Sequence, residues 1–352
     1  MHGHPVVVTF FLVLTLVGTL AVCPASQATA AQDATPAVAS PSAASGDFAE
    51  LVDIGGGRHL YLECRGQGSP TVILESGANG RADVWSRDLQ EPAGERTMVQ
   101  PGVSEFTRVC AYDRPGTMGE VNPSLEPYGP LFYPSRSDPV PQPRATRDIV
   151  TDLHALLDGA EIPGPYVLVA HSAGGLVVRL YASTYPDEVV GMVLVDATPE
   201  DVWLRFKDEL TPAQWAEFEA LTVTNQELQD AYPAVERLWT APLVDDASTR
   251  QVRQAQMDSP MRPMPLVVLS HGIPFAAPFP GWRSDTMKGI MLSLQDDLTR
   301  LVPHARHIMA TESGHDIHQD QPELVIAAIR EVVDAVRDPS MWATPAAGTP
   351  TP

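Results

Sequence analysis

Apolar residues in this chain fall into short runs rich in β-branched residues, with polar or helical stretches between them. Eight such runs lie between residues 51 and 310: Leu51–Ile54, His59–Cys64, Thr71–Leu74, Arg108–Tyr112, Tyr166–Ala170, Met192–Val195, Leu266–Leu269 and Arg306–Ala310. Runs of this length and composition predict β-strands. Only Gly55–Gly57 and Arg58 separate the first two, which predicts a hairpin, whereas helical spacing (Ile149, Leu153, Leu156) appears between later runs. The pattern predicts an α/β fold: a mostly parallel, eight-stranded sheet with helices on both faces.

One stretch interrupts this alternation, between residues 199 and 260. Its apolar residues lie at helical spacing with no strand among them: Trp203, Phe206, Leu210, Trp215, Phe218 and Leu221. An all-helical insertion between two strands predicts a cap. We therefore expect a core at 48–198 and 261–337, interrupted by a helical cap at 199–260.

The two ends of the chain have compositions unlike the core. Residues 6–22 form an apolar run of signal-peptide length, and small residues at 28–30 offer a cleavage site, so we expect a signal peptide at 1–30 and a secreted or cell-envelope protein. An uncleaved N-terminal anchor and lipidation at Cys23 are the alternatives. Residues 31–47 and 338–352 are rich in Ala, Ser, Thr and Pro, which predicts a disordered linker and a loose tail.

The charge balance narrows the range of partners. The 352 residues include 23 Lys plus Arg against 44 Asp plus Glu, a formal net charge of -21. Such a surface repels nucleic-acid backbones and anionic membranes, so we expect neither as a partner, nor a stable membrane span in the mature chain. The histidines lack metal-ligand spacing and no nucleotide fingerprint is present, so we expect no metal and no cofactor.

Ser172 is the strongest chemical signal in the sequence. It follows the apolar run Tyr166–Ala170, and small residues stand two positions away on both sides, at Ala170 and Gly174. A nucleophile on a sharp strand-to-helix turn needs small flanking residues, because larger side chains would collide with the turn. At the start of the helix the backbone N–H of Ala173 faces the position where an oxyanion would develop.

His315 follows the last predicted strand in the segment Ser313-Gly314-His315. A histidine on that loop can reach a serine at the end of a middle strand, and a serine before a histidine is the order expected for this arrangement. We therefore predict Ser172 as nucleophile and His315 as general base. His318 is a nearby histidine that we expect to lie behind the site or on the surface.

A glycine-rich loop after the strand 71–74 supplies the second oxyanion donor in this interpretation. The loop reads Glu75-Ser76-Gly77-Ala78, and the backbone N–H of Ala78, or alternatively of Gly77, would face the nucleophile.

Together these segments resemble the α/β-hydrolase superfamily over residues 48–337. Residues 170–175 match its nucleophile elbow, residues 112–116 look like its Tyr-Asp-x-x-Gly loop, and residues 313–315 match its closing histidine motif. The resemblance places the strands that contain Cys64 and Cys110 side by side, and it makes these cysteines a candidate disulfide. Two buried free thiols are the alternative.

The acid of the expected triad departs from the family pattern. Members usually carry it after the strand found here at 266–269, but the next carboxylate is Asp285. Some members carry it one strand earlier, where Asp196 lies. We therefore predict Asp196 as the acid, with Asp285 and Asp201 as alternatives and a Ser-His dyad still open.

The resemblance implies a serine hydrolase that cleaves a carboxylic ester of a small molecule, and the expected signal peptide implies that it is exported. Proline-iminopeptidase-like and cofactor-free haloperoxidase-like activities are enzyme alternatives. Epoxide hydrolases and haloalkane dehalogenases of this fold use an aspartate nucleophile, so Ser172 counts against both. A non-catalytic exported binding module is the alternative from a different class.

Overall fold

The computed structural model describes residues 46–90, 94–119, 133–223, 234–273 and 284–343. Ten strands lie in these ranges: β1 (Phe48–Asp53), β2 (His59–Arg65), β3 (Thr71–Glu75), β4 (Val109–Tyr112), β5 (Met118–Gly119), β6 (Tyr133–Pro134), β7 (Tyr166–His171), β8 (Val189–Val195), β9 (Leu266–His271) and β10 (Arg306–Ala310). Eight form one sheet in the order β1-β2-β4-β3-β7-β8-β9-β10, and β5 pairs with β6. All eight predicted strands belong to this sheet.

The strands differ in direction and in burial according to their place in the sheet. β1 pairs antiparallel with β2, and β2 with β4, whereas every pair from β4 to β10 is parallel. The inner strands β3, β4, β7 and β9 are buried at every position. The edge strand β10 alternates between exposed and less exposed positions, because helices do not cover both of its faces equally. The predicted mostly parallel sheet is confirmed.

Helices cover both faces of the sheet. Their bounds are α1 (Val99–Ser104), α2 (Thr146–Gly159), α3 (Gly174–Thr184), α4 (Val202–Glu209), α5 (Pro212–Val223), α6 (Ala247–Asp258), α7 (Ser284–Leu298), α8 (Ile317–Asp320), α9 (Pro322–Arg337) and α10 (Ser340–Ala343), with 3₁₀ turns at Ala82–Trp85 and Leu243–Asp245. The apolar sides of α2, α3 and α6 pack into one cluster on one face. Those of α1 and α9 pack into another cluster on the opposite face.

The stretch predicted as a cap contains α4, α5 and α6, with no strand in its described residues. Helices α4, α5 and α7 form a third hydrophobic cluster that includes Trp203, Phe206, Trp215 and Ile290. Helix α6 differs, because its Val252 packs into the same cluster as α2 and α3. The last helix of the predicted insertion therefore covers the sheet, and α7, beyond the predicted insertion, packs with the first two.

Cys64 and Cys110 form a disulfide between β2 and β4. The two residues lie directly opposite each other in the antiparallel register, and both are fully buried. The neighbouring strands implied by the family resemblance therefore bring the two sulfur atoms together.

The predicted signal peptide and nearly all of the predicted linker lie outside the described residues, as do residues 344–352. Where the sequence predicts a loose tail from residue 338, the structure has helix α10. The side chain of Trp342 packs against the cluster formed by α1 and α9, and the guanidinium of Arg306 lies 4.3 Å from the centre of its ring. None of the helices in the described ranges has the length and apolar character needed to cross a bilayer.

Candidate active site

Ser172 lies on a tight turn between β7 and α3. Its φ angle is 50°, in the left-handed region that residues with a side chain rarely adopt, and its backbone carbonyl accepts a hydrogen bond from the N–H of Thr198 at 2.8 Å. A Cβ at Gly174 would lie 2.6 Å from the carbonyl oxygen of Ser76, so only glycine fits there. The turn therefore explains the small residue after the serine, and it leaves Ser172 partly exposed.

His315 lies on the loop between β10 and α8, and it connects Ser172 to a carboxylate. Its Nε2 is 2.9 Å from Ser172 Oγ, and its Nδ1 is 2.6 Å from Asp196 Oδ2. Burial by itself lowers the pKa of His315, but the hydrogen bond and the charge of Asp196 outweigh it and raise the pKa above the usual value of 6.5. The imidazole is thus oriented to accept a proton from the serine hydroxyl.

Asp196 follows β8 and is buried between two histidines. Its carboxylate also contacts Nδ1 of His271 at 2.8 and 2.9 Å, and its φ angle of 44° is again in the left-handed region. Burial alone would raise the pKa of Asp196, but the hydrogen bonds from His271 and His315 lower it, so the carboxylate is ionised at neutral pH. The ends of the parallel strands β7, β8, β9 and β10 bring Ser172, Asp196, His271 and His315 to one edge of the sheet.

His271 is a site residue that we did not predict. It is the last residue of β9, the strand after which members of the superfamily that this chain resembles usually carry the acid. Its side chain is only 2% exposed. The sequence did contain a signal for His271: it is a polar residue at the end of an otherwise apolar strand, next to the expected position of the acid. The histidine at this position contacts the carboxylate supplied by the neighbouring strand.

The structure does not bring the alternative acid Asp201 to His315. The carboxylate of Asp201 is half exposed and forms an ion pair with Arg253 at 2.7 Å. Asp285 lies in the first turn of α7, and its side chain lies outside the described residues. Asp196 contacts His315, and Asp201 pairs with Arg253 instead.

The predicted oxyanion loop lies directly against the turn at Ser172. A Cβ placed on Gly77 would lie 3.2 Å from Ser172 Cβ and 2.8 Å from Nδ1 of His171, so the loop can approach this closely only with glycine. Within the described residues, no hydrogen bond uses the backbone N–H of Ala78 or of Ala173. Both N–H groups therefore have no hydrogen-bond partner among the described residues.

His318 lies behind the site, with a side chain that is buried between Trp85 and His171. His171, Asp316 and His318 have ligand-type atoms within 4.8 Å of one another. Ligand atoms around one zinc ion lie about 3 to 3.5 Å apart, given bonds of about 2.0 to 2.1 Å. His171 Nε2 also lies 3.1 Å from the carbonyl oxygen of His315 and donates there when it carries the proton. We assign no ion to this group.

Comparison with known proteins finds a family likeness over most of the chain. Residues 72–328 match the family model described as the alpha/beta hydrolase family. An uncharacterized protein of Schizosaccharomyces pombe is 33% identical over 155 residues, which are 39% of this chain and 26% of that protein. A pimeloyl-acyl-carrier-protein methyl ester esterase of Chromobacterium violaceum is 27% identical over 200 residues, which are 56% of this chain and 62% of that protein. The chain thus covers less than two thirds of either relative.

Among solved structures, a variant of a putative epoxide hydrolase from Pseudomonas aeruginosa superposes with a TM-score of 0.52 at 16% identity, over 84% of this chain and 98% of that chain. At this identity the likeness concerns the fold. Because the family model matches most of the chain, the chain belongs to the alpha/beta hydrolase family.

Proposed function

We propose that this chain is a serine hydrolase that cleaves a carboxylic ester through an acyl-enzyme. The observation that carries the proposal is the continuous contact from Ser172 Oγ to His315 Nε2 at 2.9 Å and from His315 Nδ1 to Asp196 at 2.6 Å. A serine hydroxyl is a weak nucleophile unless a base takes its proton during attack, and a buried carboxylate keeps that base in the required tautomer.

In the first half of the reaction, Ser172 Oγ attacks the ester carbonyl carbon while its proton moves to His315 Nε2. The carbonyl oxygen becomes an oxyanion, and the backbone N–H groups of Ala78 and Ala173 are the donors that would stabilise it. The intermediate collapses when His315 gives the proton to the departing alkoxide, which leaves as an alcohol. Ser172 then carries the acyl group.

In the second half, His315 takes a proton from water, and the hydroxide equivalent attacks the acyl carbon. Collapse releases a carboxylic acid, and the proton returns from His315 to Ser172 Oγ. Asp196 stays ionised throughout and stabilises the imidazolium in both halves. The related methyl ester esterase of Chromobacterium violaceum supports an ester as the substrate class.

Turnover of p-nitrophenyl acetate and butyrate tests this proposal, with the chain compared with Ser172→Ala. Ser183→Ala is the matched control, because Ser183 lies on helix α3, which follows the turn at Ser172, and its buried hydroxyl has no hydrogen-bond partner within the described residues. We expect the first substitution to abolish turnover and labelling by a fluorophosphonate, and the second to leave both unchanged. Equal turnover by the Ser172→Ala protein would refute the nucleophile.

Two further assays separate the alternatives. Hydrolysis of prolyl p-nitroanilide at a higher kcat/KM than the esters would identify a peptidase and overturn the ester assignment. A chain that reacts with neither substrate nor fluorophosphonate would be a binding module and would overturn the proposal altogether.

We also propose that the protein is exported, on the basis of the apolar segment at residues 6–22 and the disulfide, which persists in oxidising compartments. The chain has three cysteines, Cys23, Cys64 and Cys110. Titration of free thiols in the unfolded, unreduced protein purified from an expressing bacterium should therefore find none after cleavage at residue 30. One free thiol would indicate a retained leader, and a lipid mass on Cys23 would indicate a lipoprotein.

A further inference from the structure

Arg114 is a fully buried arginine that holds the loop after β3 from behind. Its Nη1 donates to the carbonyl oxygen of Ser76 at 2.8 Å, and its Nη2 donates to the carbonyl oxygen of Gly77 at 2.6 Å. It also pairs with the carboxylate of Glu75, which in turn accepts a hydrogen bond from the hydroxyl of Tyr112. The guanidinium therefore fixes two successive peptide planes of the loop that passes Ser172.

Fixing the carbonyl of Gly77 also fixes the direction of a neighbouring N–H. In a trans peptide the C=O and N–H bonds are held in one plane and point in opposite directions. The C=O of Gly77 and the N–H of Ala78 belong to the same peptide. Arg114 holds that C=O together with the N–H of Gly80, which donates to the same oxygen at 3.1 Å, so the N–H of Ala78 points away from Arg114.

Glu236 holds Arg114 in that position, and it comes from a distant part of the chain. Its two carboxylate oxygens accept hydrogen bonds from Nε and Nη2 of Arg114 at 2.6 and 2.8 Å. One of the same oxygens accepts a hydrogen bond from the backbone N–H of Asn79 at 2.8 Å. Glu236 thus contacts both the arginine and the loop that the arginine orients.

The segment that contains Glu236 lies in the insertion between β8 and β9 and is closely fitted to the core. The backbone N–H of Glu236 donates to the carbonyl oxygen of Gly116 at 2.9 Å. A Cβ at Gly116 would lie 2.4 Å from the carbonyl oxygen of Ala234, so there is no space for a side chain. The φ angle of Gly116 is 87°, a backbone conformation that also favours glycine. The insertion therefore approaches the core closely at the point where Glu236 meets Arg114.

The cluster of Glu75, Arg114 and Glu236 is costly to bury. The side chains of Glu75, Arg114 and Glu236 are 0%, 2% and 3% exposed, and two carboxylates share one guanidinium. Buried charges lose their hydration, and apolar residues of similar volume often stabilise a fold as well or better. Burial raises the pKa of Glu75 despite its contacts with Arg114 and Tyr112. The fold thus retains charged groups at a place where they orient a loop beside the nucleophile.

We propose that Glu236 is a positioning residue: through Arg114 and Asn79 it holds the N–H of Ala78 toward the developing oxyanion, so that the insertion between β8 and β9 controls the rate of the ester hydrolysis. The inference rests on the proposed function. It predicts that weakening the contacts of Glu236 with Arg114 and Asn79 reduces the stabilisation of the transition state more than it reduces the affinity for substrate.

The test compares Glu236→Gln with Glu200→Gln in the full chain. Glu200 is also a carboxylate in the insertion, and it pairs with the buried Arg179 without any contact to residues 76–79 among the described residues. Loss of one oxyanion donor lowers kcat about 100- to 1000-fold. In Glu236→Gln the N–H of Ala78 is still present but less firmly oriented, so kcat should fall about 10- to 100-fold. We expect a KM within about threefold of the parent value and a similar 10- to 100-fold loss of affinity for butylboronic acid, which forms a tetrahedral adduct with the nucleophile.

Fluorophosphonate titration gives the concentration of reactive Ser172 for each protein, so kcat is expressed per reactive serine and misfolded protein does not count. An unchanged kcat and boronate affinity in Glu236→Gln, or equal losses in Glu200→Gln, would overturn the inference. If Glu236→Gln does not fold, Glu236→Asp keeps the charge with a shorter reach, and it should lose about three- to tenfold in kcat per reactive serine. Absence of labelling in the parent would instead refute the proposed function itself.

Discussion

The two sides of Ser172 are built from different parts of the chain. On the acid side, His271 ends β9, Asp196 directly follows β8, and His315 lies on the loop after β10. On the side of the proposed oxyanion donors, called the oxyanion side below, the loop after β3 is held by Arg114, and Arg114 is held by Glu236 from the insertion.

This difference in origin indicates how strongly a substitution on each side should affect the rate of the reaction. The geometry of the acid side depends on strand register, because a parallel sheet aligns the ends of its strands at one edge. The oxyanion side depends in addition on the contact between an insertion and the core. We therefore expect substitution of Asp196 or His315 to stop the reaction almost completely, and substitution of the residues that support them or that hold the loop after β3 to adjust its rate.

The largest effect is expected for Asp196→Asn. The amide cannot hold His315 in the tautomer that accepts the serine proton, and kcat should fall by about four orders of magnitude. Asp201→Asn is the matched control, because that carboxylate pairs with Arg253 and should leave kcat within about twofold of the parent value. Comparable losses in both proteins would show that Asp196 has no special role.

The pH dependence of kcat/KM is expected to show the raised pKa of His315. The imidazole must be neutral to take the proton of Ser172, so activity should fall about tenfold per pH unit below that pKa. Because Asp196 raises the pKa, the midpoint of the acid limb should lie above 6.5. In Asp196→Asn the residual activity should have its midpoint at a lower pH. A parent midpoint below 6.5 would contradict the pairing of His315 with an ionised carboxylate.

A smaller effect is expected for His271→Ala. The substitution removes one of the two histidines that donate to the buried carboxylate of Asp196, and a hydrogen bond to a charged group contributes about 1.5 to 3 kcal/mol. We expect kcat to fall about tenfold, with partial recovery in His271→Asn, which keeps a side-chain donor. His307→Ala is the control, because His307 contacts Ser270 on β9 and not Asp196. Equal rates for His271→Ala and His307→Ala would refute the support of Asp196 by His271.

The smallest effect on turnover is expected for removal of the disulfide. Cys64 and Cys110 join β2 to β4, and within the described residues neither has a hydrogen bond to the residues on the two sides of Ser172, so their joint replacement by serine should leave kcat within about twofold of the parent value at 25 °C. The bond closes a loop with a sequence separation of 46, and its loss should lower the free energy of unfolding by about 4 kcal/mol. Urea denaturation followed by fluorescence measures this difference. A large loss of kcat in the folded double variant would contradict the separation of the disulfide from the site.

Much of the fold was predictable because each strand carries its own local signal. All eight runs of β-branched residues became strands of one sheet, since such runs gain most when both of their faces are buried. The turn at Ser172 was predictable for a similar reason, because the sharp bend and the close contact of Gly174 with Ser76 exclude large residues nearby.

Other features depend on residues far apart in the chain. Trp342 stabilises a helix where composition predicts a loose tail, because Arg306 and the cluster under α9 supply contacts that no local window contains. Helix α6 has the same kind of amphipathic pattern as α4, yet it packs on the sheet side while α4 packs with α5 and α7.

The sequence alone determined the sheet and its strands, the turn around Ser172 and the position of His315 after the last strand, because these depend on local spacing and on side-chain size. The tertiary structure decided which carboxylate meets His315, brought His271 to the same carboxylate and joined Glu236 to Arg114 across 122 residues of chain. The physical reason is that a hydrogen bond between side chains depends on distances of a few tenths of an ångström. Such distances are set by strand register and by the packing of the insertion on the core, and neither leaves a periodic pattern in the sequence.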